Sequence, residues 1–412
     1  MSRTHLIGLL LGTEEDWSGA FEALLTRVAP VADHGGERHE FALERVTIEP
    51  FDLRAQPRHS LVIDRLAHWY YVPREWLKKV ALMDGVYLLN NPFTFQAMEK
   101  HAAYCAMMRL GLKVPATWLV PYKQPPADER FAYTAERYNR PFDLAEVAGQ
   151  IGYPLYMKPF DGGAWVGVSR IGSPEQLTAR YDESGQRLMH LQKAVDGFDV
   201  FARSLSIGAE TMVMHFDPDR PLHDRYQVDH DFLSAETGRE VVTIGRTVNA
   251  FFAWEFNSCE TLIRGGEVHP IDYANACPDV SLISLHYYFP WAIKALLRWC
   301  VYVCATGRPM RVALDLDPWW AVAGDDRPYA DKLEAYRELA DASFEVDAYE
   351  EFCDRHLGHV DEAMAEYIAS AEFDRLLVTT VMRAFPPHEH EQFVAHYRGL
   401  LGAWLADQSS VS

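Results

Sequence analysis

Residues 152–163 read GYPLYMKPFDGG, an apolar strand that ends on a lysine and turns into a pair of glycines. Because neighbouring side chains of a strand point to opposite faces, Leu155 and Met157 should share one face and Lys158 should lie on the other. The ammonium group then stands beside a loop whose glycine amides can approach an anion closely. Such a stretch by itself is more often a solvated turn, so the motifs that follow it decide between the two interpretations.

The composition bounds the class of protein. The chain has 412 residues, of which 49% are hydrophobic, and a formal net charge of -20. This length suggests two or three domains, and the charge argues against nucleic acid or an anionic membrane as the main partner. The apolar run at 6–11 is too short for a signal peptide or a membrane span, and the six cysteines show no metal-type pairing. We therefore expect a cytoplasmic protein with reduced thiols.

The first ninety residues alternate between strand and helix patterns. Strands are predicted at 5–12, 41–49, 61–66 and 86–90, and helices at 14–28 and 73–83. This alternation predicts a small doubly wound α/β domain. The turn at 11–14 is acidic and carries no glycine fingerprint, so no dinucleotide is assigned to it.

The middle of the chain mixes strands and helices, and the end is mainly helical. The patterns predict a helix at 91–110, a strand at 116–120, an irregular excursion at 121–142, a helix at 143–150, strands at 188–195, 201–207 and 210–215, a helix at 235–252 and a hairpin at 261–268. From residue 285 onward helices dominate, with a polar break near 324–327. The overall expectation is an α/β and α+β chain with a helical C-terminal region.

A second motif occupies residues 192–199, which read QKAVDGFD. It looks like a strand end whose backbone can pair with an adenine edge, while the carboxylate of Asp199 accepts ribose hydroxyls. The alternative interpretation is an edge strand followed by a polar turn.

A third motif is acidic. A hairpin brings together Glu260, Asp272 and Asn275, and hard oxygen donors of this kind suit Mg²⁺. In a regular strand Asp272 and Asn275 point to opposite faces, so both can reach one metal only if the chain turns or bulges after Asp272. The segment 255–257 offers a competing pair of acid and asparagine, but it precedes the hairpin.

Taken in order, these motifs resemble the ATP-grasp superfamily over roughly residues 86–285. The segments 89–92 (LNNP) and 111–115 (GLKVP), with Lys100 between them, look like the entry to its first nucleotide-binding subdomain. The wider match is to RimK-like and glutathione-synthetase-like ligases, through the runs 62–66 (VIDRL) and 271–279 (IDYANACPD).

The resemblance implies a domain organisation and a set of site residues. It implies a pre-ATP-grasp domain at 1–92, an ATP-grasp domain at 93–305 with subdomains 93–190 and 191–305, and a helical region at 306–412. The residues implied to bind the nucleotide are Lys100, Lys158, Gly162, Gly163, Gln192, Lys193, Val195 and Asp199. The implied metal ligands are Glu260, Asp272 and Asn275, and the implied catalytic residues are Lys158, Arg203 and Arg225.

By this resemblance we expect an ATP-dependent carboxylate-amine ligase that works through an acyl phosphate and releases ADP and phosphate. Its cofactors would be ATP and Mg²⁺ or Mn²⁺, and its substrates a small-molecule or peptide carboxylate and an amine. Two alternatives stay open: an ATP-grasp kinase that stops at phosphorylation, and a nucleotide-binding protein without turnover. The substrates and the oligomeric state, including a homo-oligomer, also stay open.

Overall fold

The computed structural model describes residues 2–94, 99–124, 128–138, 140–161, 163, 165–275 and 277–411. The chain begins with a five-stranded sheet in the order β2-β3-β1-β4-β5. Its elements are β1 (Ser2–Leu10), α1 (Asp16–Val28), β2 (Val31–His34), β3 (Glu37–Arg45), β4 (Leu61–Asp64), α2 (Tyr71–Asp84) and β5 (Tyr87–Leu89). Strand β1 is parallel to β3 and β4, and β4 is parallel to β5. The carboxyl ends of β1 and β4 therefore lie at the same edge of this sheet.

A four-stranded antiparallel sheet follows, in the order β6-β9-β7-β8. The elements of this part are α3 (Lys100–Arg109), β6 (Thr117–Val120), α4 (Glu129–Tyr138), α5 (Leu144–Ile151), β7 (Leu155–Pro159), β8 (Ser169–Ile171), α6 (Pro174–Ser184) and β9 (Met189–Lys193). Strand β9 continues past residue 190, where we predicted a subdomain boundary, because Leu191 and Gln192 pair with β6.

Two sequence predictions in this part are wrong. The excursion predicted at 121–142 contains the helix α4, because the prolines that indicated a loop lie outside residues 128–138, which are free of proline and glycine. The helix predicted at 91–110 begins only at Lys100, after a short 3₁₀ turn at Pro92–Thr94. The Lys100 amide donates to the Phe160 carbonyl at 3.0 Å, so a strand end supplies the partner of this first helical amide.

The third sheet has five strands in the order β12-β11-β10-β13-β14. Its elements are β10 (Val200–Ile207), β11 (Glu210–Phe216), β12 (Tyr226–Gln227), α7 (Ala235–Phe252), β13 (Phe256–Arg264) and β14 (Glu267–Asp272). Helix α7 covers one face closely, because a Cβ atom on Gly245 would lie 3.1 Å from the Ser204 hydroxyl. The other face of the sheet carries Arg203 and Glu260, which lie opposite each other on β10 and β13.

The rest of the chain is helical, as predicted. The helices are α8 (Leu282–Leu285), α9 (Phe289–Thr306), α10 (Asp317–Gly324), α11 (Tyr329–Phe344), α12 (Val346–His356), α13 (Val360–Ile368), α14 (Ala371–Ala384) and α15 (His390–Val411). Helix α9 is nearly all buried and packs against α1. Within the described residues, none of the helices combines the length and the apolar character needed to cross a membrane. The predicted fold class, mixed α/β and α+β with a helical C-terminal region, is confirmed.

Candidate functional site

Lys158 lies between the second and the third sheet. Leu155 and Met157 face the hydrophobic core of the four-stranded sheet, and Lys158 faces away from that core, as strand alternation predicts. Its ammonium group donates to Gln192 Oε1 at 2.8 Å and to the Ile271 carbonyl at 3.4 Å. Because Ile271 belongs to β14, this side chain connects the two sheets.

Lys100, at the first turn of α3, is the second buried lysine, and its Nζ lies 2.9 Å from Asp272 Oδ2. Burial by itself lowers the pKa of Lys100, but the carboxylates of Asp272 and Glu260 outweigh it, so the pKa is raised. At Lys158 burial wins, and the pKa is lowered. The cleft therefore holds one firmly charged ammonium group and one whose charge is costly until an anion arrives.

Two carboxylates face these lysines from the hairpin. Glu260 and Asp272 are direct partners in the pairing of β13 with β14, beside a shift in register between Glu260 and Thr261. Burial raises the pKa of Glu260, and the Arg203 guanidinium, 4.0 Å away, offsets only part of that effect. Burial acts in the same direction on Asp272, but Lys100 and Lys158 outweigh it and hold the pKa of Asp272 below its usual range. Paired acids of this kind favour a bound cation.

The chain leaves the strand after Asp272, and this turn meets the condition under which Asn275 can join the acids. The Asn275 amide N–H donates to Asn257 Oδ1 at 2.8 Å, and its side-chain Nδ2 donates to Ser258 Oγ at 2.9 Å. Ser258 lies two residues before Glu260, on the same face of β13. Asn275 therefore lies on the acidic face.

The competing pair at 255–257 is structural. Glu255 is buried and accepts hydrogen bonds from Tyr87, Trp299 and Arg308. Asn257 points to the other face of β13, where its side chain donates to Asn249 and to the Tyr273 carbonyl. Neither side chain is available to a ligand in the cleft.

The donor set around the acids fits magnesium. In the described part of the chain there is no group of three His, Cys, Asp or Glu side chains that could hold a metal. Two carboxylates and one amide oxygen are sufficient for Mg²⁺, which binds protein through one or two carboxylates and completes its shell with water and phosphate. Glu260, Asp272 and Asn275 thus match the donors that this ion takes, and their role as ligands stays a prediction.

The residues predicted to hold the base lie at the end of β9. The Lys193 amide donates to Ala116 at 2.8 Å and the Ala194 amide to Pro154 at 3.2 Å, whereas no group in the described chain accepts from the Val195 amide. The Gln192 side chain turns toward the cleft, where it accepts from Lys158 and donates to Thr117 Oγ1 at 2.9 Å. The Val195 amide is therefore free to donate to a ligand.

Asp199, the predicted ribose acid, is exposed. Its Oδ2 accepts from the Gly265 amide at 2.7 Å, at the tip of the hairpin that carries the two acids. One carboxylate oxygen is committed to this turn, and in the described chain the other has no hydrogen-bond partner. Asp199 therefore fixes the hairpin tip as well as presenting an acceptor.

The remaining predicted residues are less closely connected. Gly162 lies outside the described residues, and the Gly163 carbonyl accepts from the Val166 amide at 3.2 Å in an exposed turn. Arg225 lies just before the edge strand β12, where its Nε donates to the Arg220 carbonyl at 3.0 Å. Within the described chain no hydrogen bond or ion pair joins Arg225 to the acids or the lysines, and its catalytic role stays a prediction.

Sequence reasoning missed two residues of the cleft. His190 is 1% exposed and lies opposite Lys158 in the pairing of β7 with β9. Burial, His101 and Lys100 lower the pKa of His190 to about 3, so its ring is neutral at physiological pH. Ser258 is the other missed residue. Each lies two positions before a predicted site residue, Gln192 or Glu260, so the period of two along a strand was the available signal.

Comparison with known proteins gives matches to ligases. No family model matches the chain. Over 50 residues, or 12% of this chain, it is 42% identical to the D-alanine–D-alanine ligase of Deinococcus radiodurans, and it spans 15% of the length of that protein.

Among solved structures, an ATP-grasp RimK domain protein from Sphaerobacter thermophilus matches 67% of this chain and 93% of its own, at 13% identity and a TM-score of 0.46. The D-alanine–D-alanine ligase of Bacillus anthracis in complex with ATP matches 73% of this chain and 96% of its own, at 13% identity and a TM-score of 0.47.

Proposed function

We propose that this protein is an ATP-grasp enzyme that joins a carboxylate to an amine at the expense of ATP, releasing ADP and phosphate. The observation that carries the proposal is the cluster of Lys100, Lys158, Arg203, Glu260 and Asp272, called here the cleft cluster, in which three cations face two acids between two sheets. A polyanion bound with a divalent cation is the ligand that such a cluster fits best.

In this proposal the chain binds ATP along the two sheets. The free Val195 amide and the Lys193 carbonyl pair with the adenine edge, and the free oxygen of Asp199 accepts from the ribose. Lys100 and Lys158 contact the phosphates, and Gly162 and Gly163 are proposed to bind them as well. Burial makes the charge of Lys158 costly, so an arriving phosphate stabilises the ammonium form.

Glu260, Asp272 and Asn275 would hold Mg²⁺ or Mn²⁺. The ion supplies positive charge against the triphosphate when it is bound. Glu260 should bind such a cation readily, because its raised pKa indicates that the buried carboxylate lacks sufficient counter-charge. The buried Arg203 Nε, which has no hydrogen-bond partner in the described structure, is a further donor on the same face.

The proposed reaction has two steps. A substrate carboxylate oxygen attacks the γ-phosphorus, the bond to the ADP oxygen breaks, and an acyl phosphate forms. The amine nitrogen then attacks the acyl carbon, phosphate leaves with the bonding electron pair, and the nitrogen loses a proton. Lys158, Arg203 and Arg225 are proposed to neutralise the oxygens on which charge develops.

The carboxylate and amine substrates are proposed as small molecules or peptides. The similarity to a D-alanine–D-alanine ligase over 50 residues supports a small amino-acid-like pair as the first to be tried. Neither nucleic acid nor a membrane is a proposed partner.

The test is a screen of carboxylate and amine pairs for release of ADP and phosphate in equal amounts, followed by mass spectrometry of the product. If ATP binds but no pair of substrates causes its turnover, and no product heavier than the separate substrates appears, the ligase activity is rejected. ADP without free phosphate would instead indicate a kinase.

A further inference from the structure

A cavity of about 410 Å³ lies on the helix side of the third sheet, between β11, α7 and α11. Val213 on β11 lines it and pairs with Ser204, which faces α7. The cleft cluster is on the opposite face of the same sheet, where Arg203 faces Glu260. The cavity is therefore separate from the proposed ATP site, and its size lies within the range of small-molecule sites.

Three arginines line this cavity: Arg239, Arg246 and Arg337. Asp341 accepts from both Arg246 and Arg337, at 2.9 Å each, and Glu334 pairs with Arg337. In the described chain Arg239 has no ion pair. Two carboxylates pair with these guanidinium groups, and none of the residues that line the cavity is acidic, in a chain whose net charge is -20.

Two polar groups at the cavity have no hydrogen-bond partner in the described chain. Thr243 is 6% exposed and lines the cavity, and no group of the described chain hydrogen-bonds to its hydroxyl. The Arg246 Nε is buried and also has no partner in the described structure. The cavity includes the first turn of α7, an 18-residue helix whose dipole adds positive potential there, although Ser234 caps the Thr237 amide and Glu236 lies in the same turn. These donors all suit one anionic ligand.

The rest of the wall is apolar. Val213, Phe232, Leu233 and Val242 line it, and Phe232 is held by stacking on His215 at 5.0 Å between ring centroids. An inorganic anion would leave this apolar surface in contact with water, whereas a ligand with an apolar body would cover it.

We propose that this cavity is a second ligand site, which binds a small organic monoanion with an aromatic or branched aliphatic body. The acid group contacts the arginines and Thr243, and the apolar body packs against Phe232 and Val242. The site is independent of the proposed ligase activity, because it shares no residue with the cleft cluster.

Gly238 gives a direct way to close the cavity. It lies in α7 on the cavity wall, and a Cβ atom added there meets no other atom within 4 Å. A Gly238→Leu side chain therefore begins in open space on the cavity wall, where it should reduce the volume open to a ligand, and it also favours the helix. Gly399→Leu in α15 is the matched control, since that glycine has the same open surroundings and lies in a different helix.

The test uses the full chain and the fluorescent probe anilinonaphthalene sulfonate, an aromatic monoanion. We expect saturable fluorescence enhancement with the wild type and with Gly399→Leu, and an affinity at least about tenfold weaker with Gly238→Leu. Arg239→Gln should weaken binding about fivefold. Circular dichroism establishes that each variant is folded.

Competition identifies the chemistry of the ligand. Benzoate should displace the probe from the wild type, and benzamide, which has the same ring without the charge, should not. Equal probe affinity in Gly238→Leu and Gly399→Leu, displacement by benzamide as effective as by benzoate, or no saturable binding to the wild type would each overturn the proposal.

Discussion

Two glutamates five residues apart, Glu255 and Glu260, have opposite electrostatic environments. Glu255 lies in a buried cluster with Tyr87, Trp299 and Arg308, called here the Glu255 cluster, and its carboxylate accepts from all three. Glu260 has one guanidinium at 4.0 Å and another carboxylate as its strand partner. The first acid is fully compensated and the second is not.

The difference separates structural from functional charge. A buried ion pair with complete hydrogen bonding stabilises a fold only weakly, but it is costly to break. A buried charged group without enough counter-charge lowers the stability of the fold and favours the binding of a ligand that supplies the missing charge. By this criterion the Glu255 cluster is structural and joins β5 to α9. The cleft cluster is a candidate binding site.

The largest expected effect is loss of activity at Lys158. Lys158→Met keeps the length of the side chain and removes its charge, so ADP formation should fall by about a thousandfold while the thermal midpoint changes little. Lys79→Met is the matched control, because Lys79 is also buried and pairs with Asp84 at 2.7 Å, but it lies on α2, outside the cleft cluster. Comparable turnover of the two variants would contradict the assignment of Lys158.

The next effect is on stability. Glu255→Ala leaves the buried Arg308 with the half-exposed Glu345 as its ion-pair partner in the described chain, and we expect the free energy of unfolding to fall by about 3 kcal/mol. Denaturant unfolding measures this loss, and turnover per folded molecule should be retained. Replacing the partner as well, in Glu255→Ala with Arg308→Met, should recover part of the loss, and a double variant weaker than the single one would show that the charge is not the cause.

A pH dependence should distinguish Glu260 from Glu255. The folded-state pKa of Glu260 lies above its ordinary value of 4.5, so the folded chain binds this proton more tightly than the unfolded chain does. The stability that this bound proton contributes is fully present below pH 4.5, and it is lost as the pH rises through the folded-state pKa of Glu260. Glu260→Gln should therefore gain stability relative to the wild type between pH 4.5 and neutrality.

Urea unfolding in the presence of EDTA measures this difference at each pH. Added Mg²⁺ should then raise the stability of the wild type at neutral pH and have less effect on Glu260→Gln, because the ion takes the place of the proton. A stability difference that does not change with pH would mean that Glu260 is as well compensated as Glu255.

Local rules were enough to predict much of the cleft. Strand alternation predicted the face of Lys158, and the glycine pair of the hairpin predicted that Glu260 and Asp272 would be neighbours. The helix predicted at 235–252 has the observed bounds, and the Ser234 side chain caps its first turn by accepting from the Thr237 amide.

Contacts between distant segments were not predictable in this way. Lys158 and Ile271 are 113 residues apart, and nothing in either segment indicates that they meet. The side chain of Gln192 is held within its own sheet, by Lys158 on β7 and Thr117 on β6. In the described chain Arg225 donates to the Arg220 carbonyl beside the edge strand β12, and its place in the cleft stays a prediction.

The smallest effect should come from Ser258, which supports two cleft residues without carrying charge. Ser258→Ala removes hydrogen bonds to Asn275 at 2.9 Å and to Arg203 at 3.4 Å, so kcat/KM should fall about fivefold and the Mg²⁺ concentration needed for half-maximal rate should rise. Ser206→Ala on the α7 side of the same sheet is the control, and Ser258→Thr should restore the rate. If Ser258→Ala and Ser206→Ala had the same magnesium dependence, Asn275 would not need the support of Ser258, and Glu260 and Asp272 alone would account for magnesium binding.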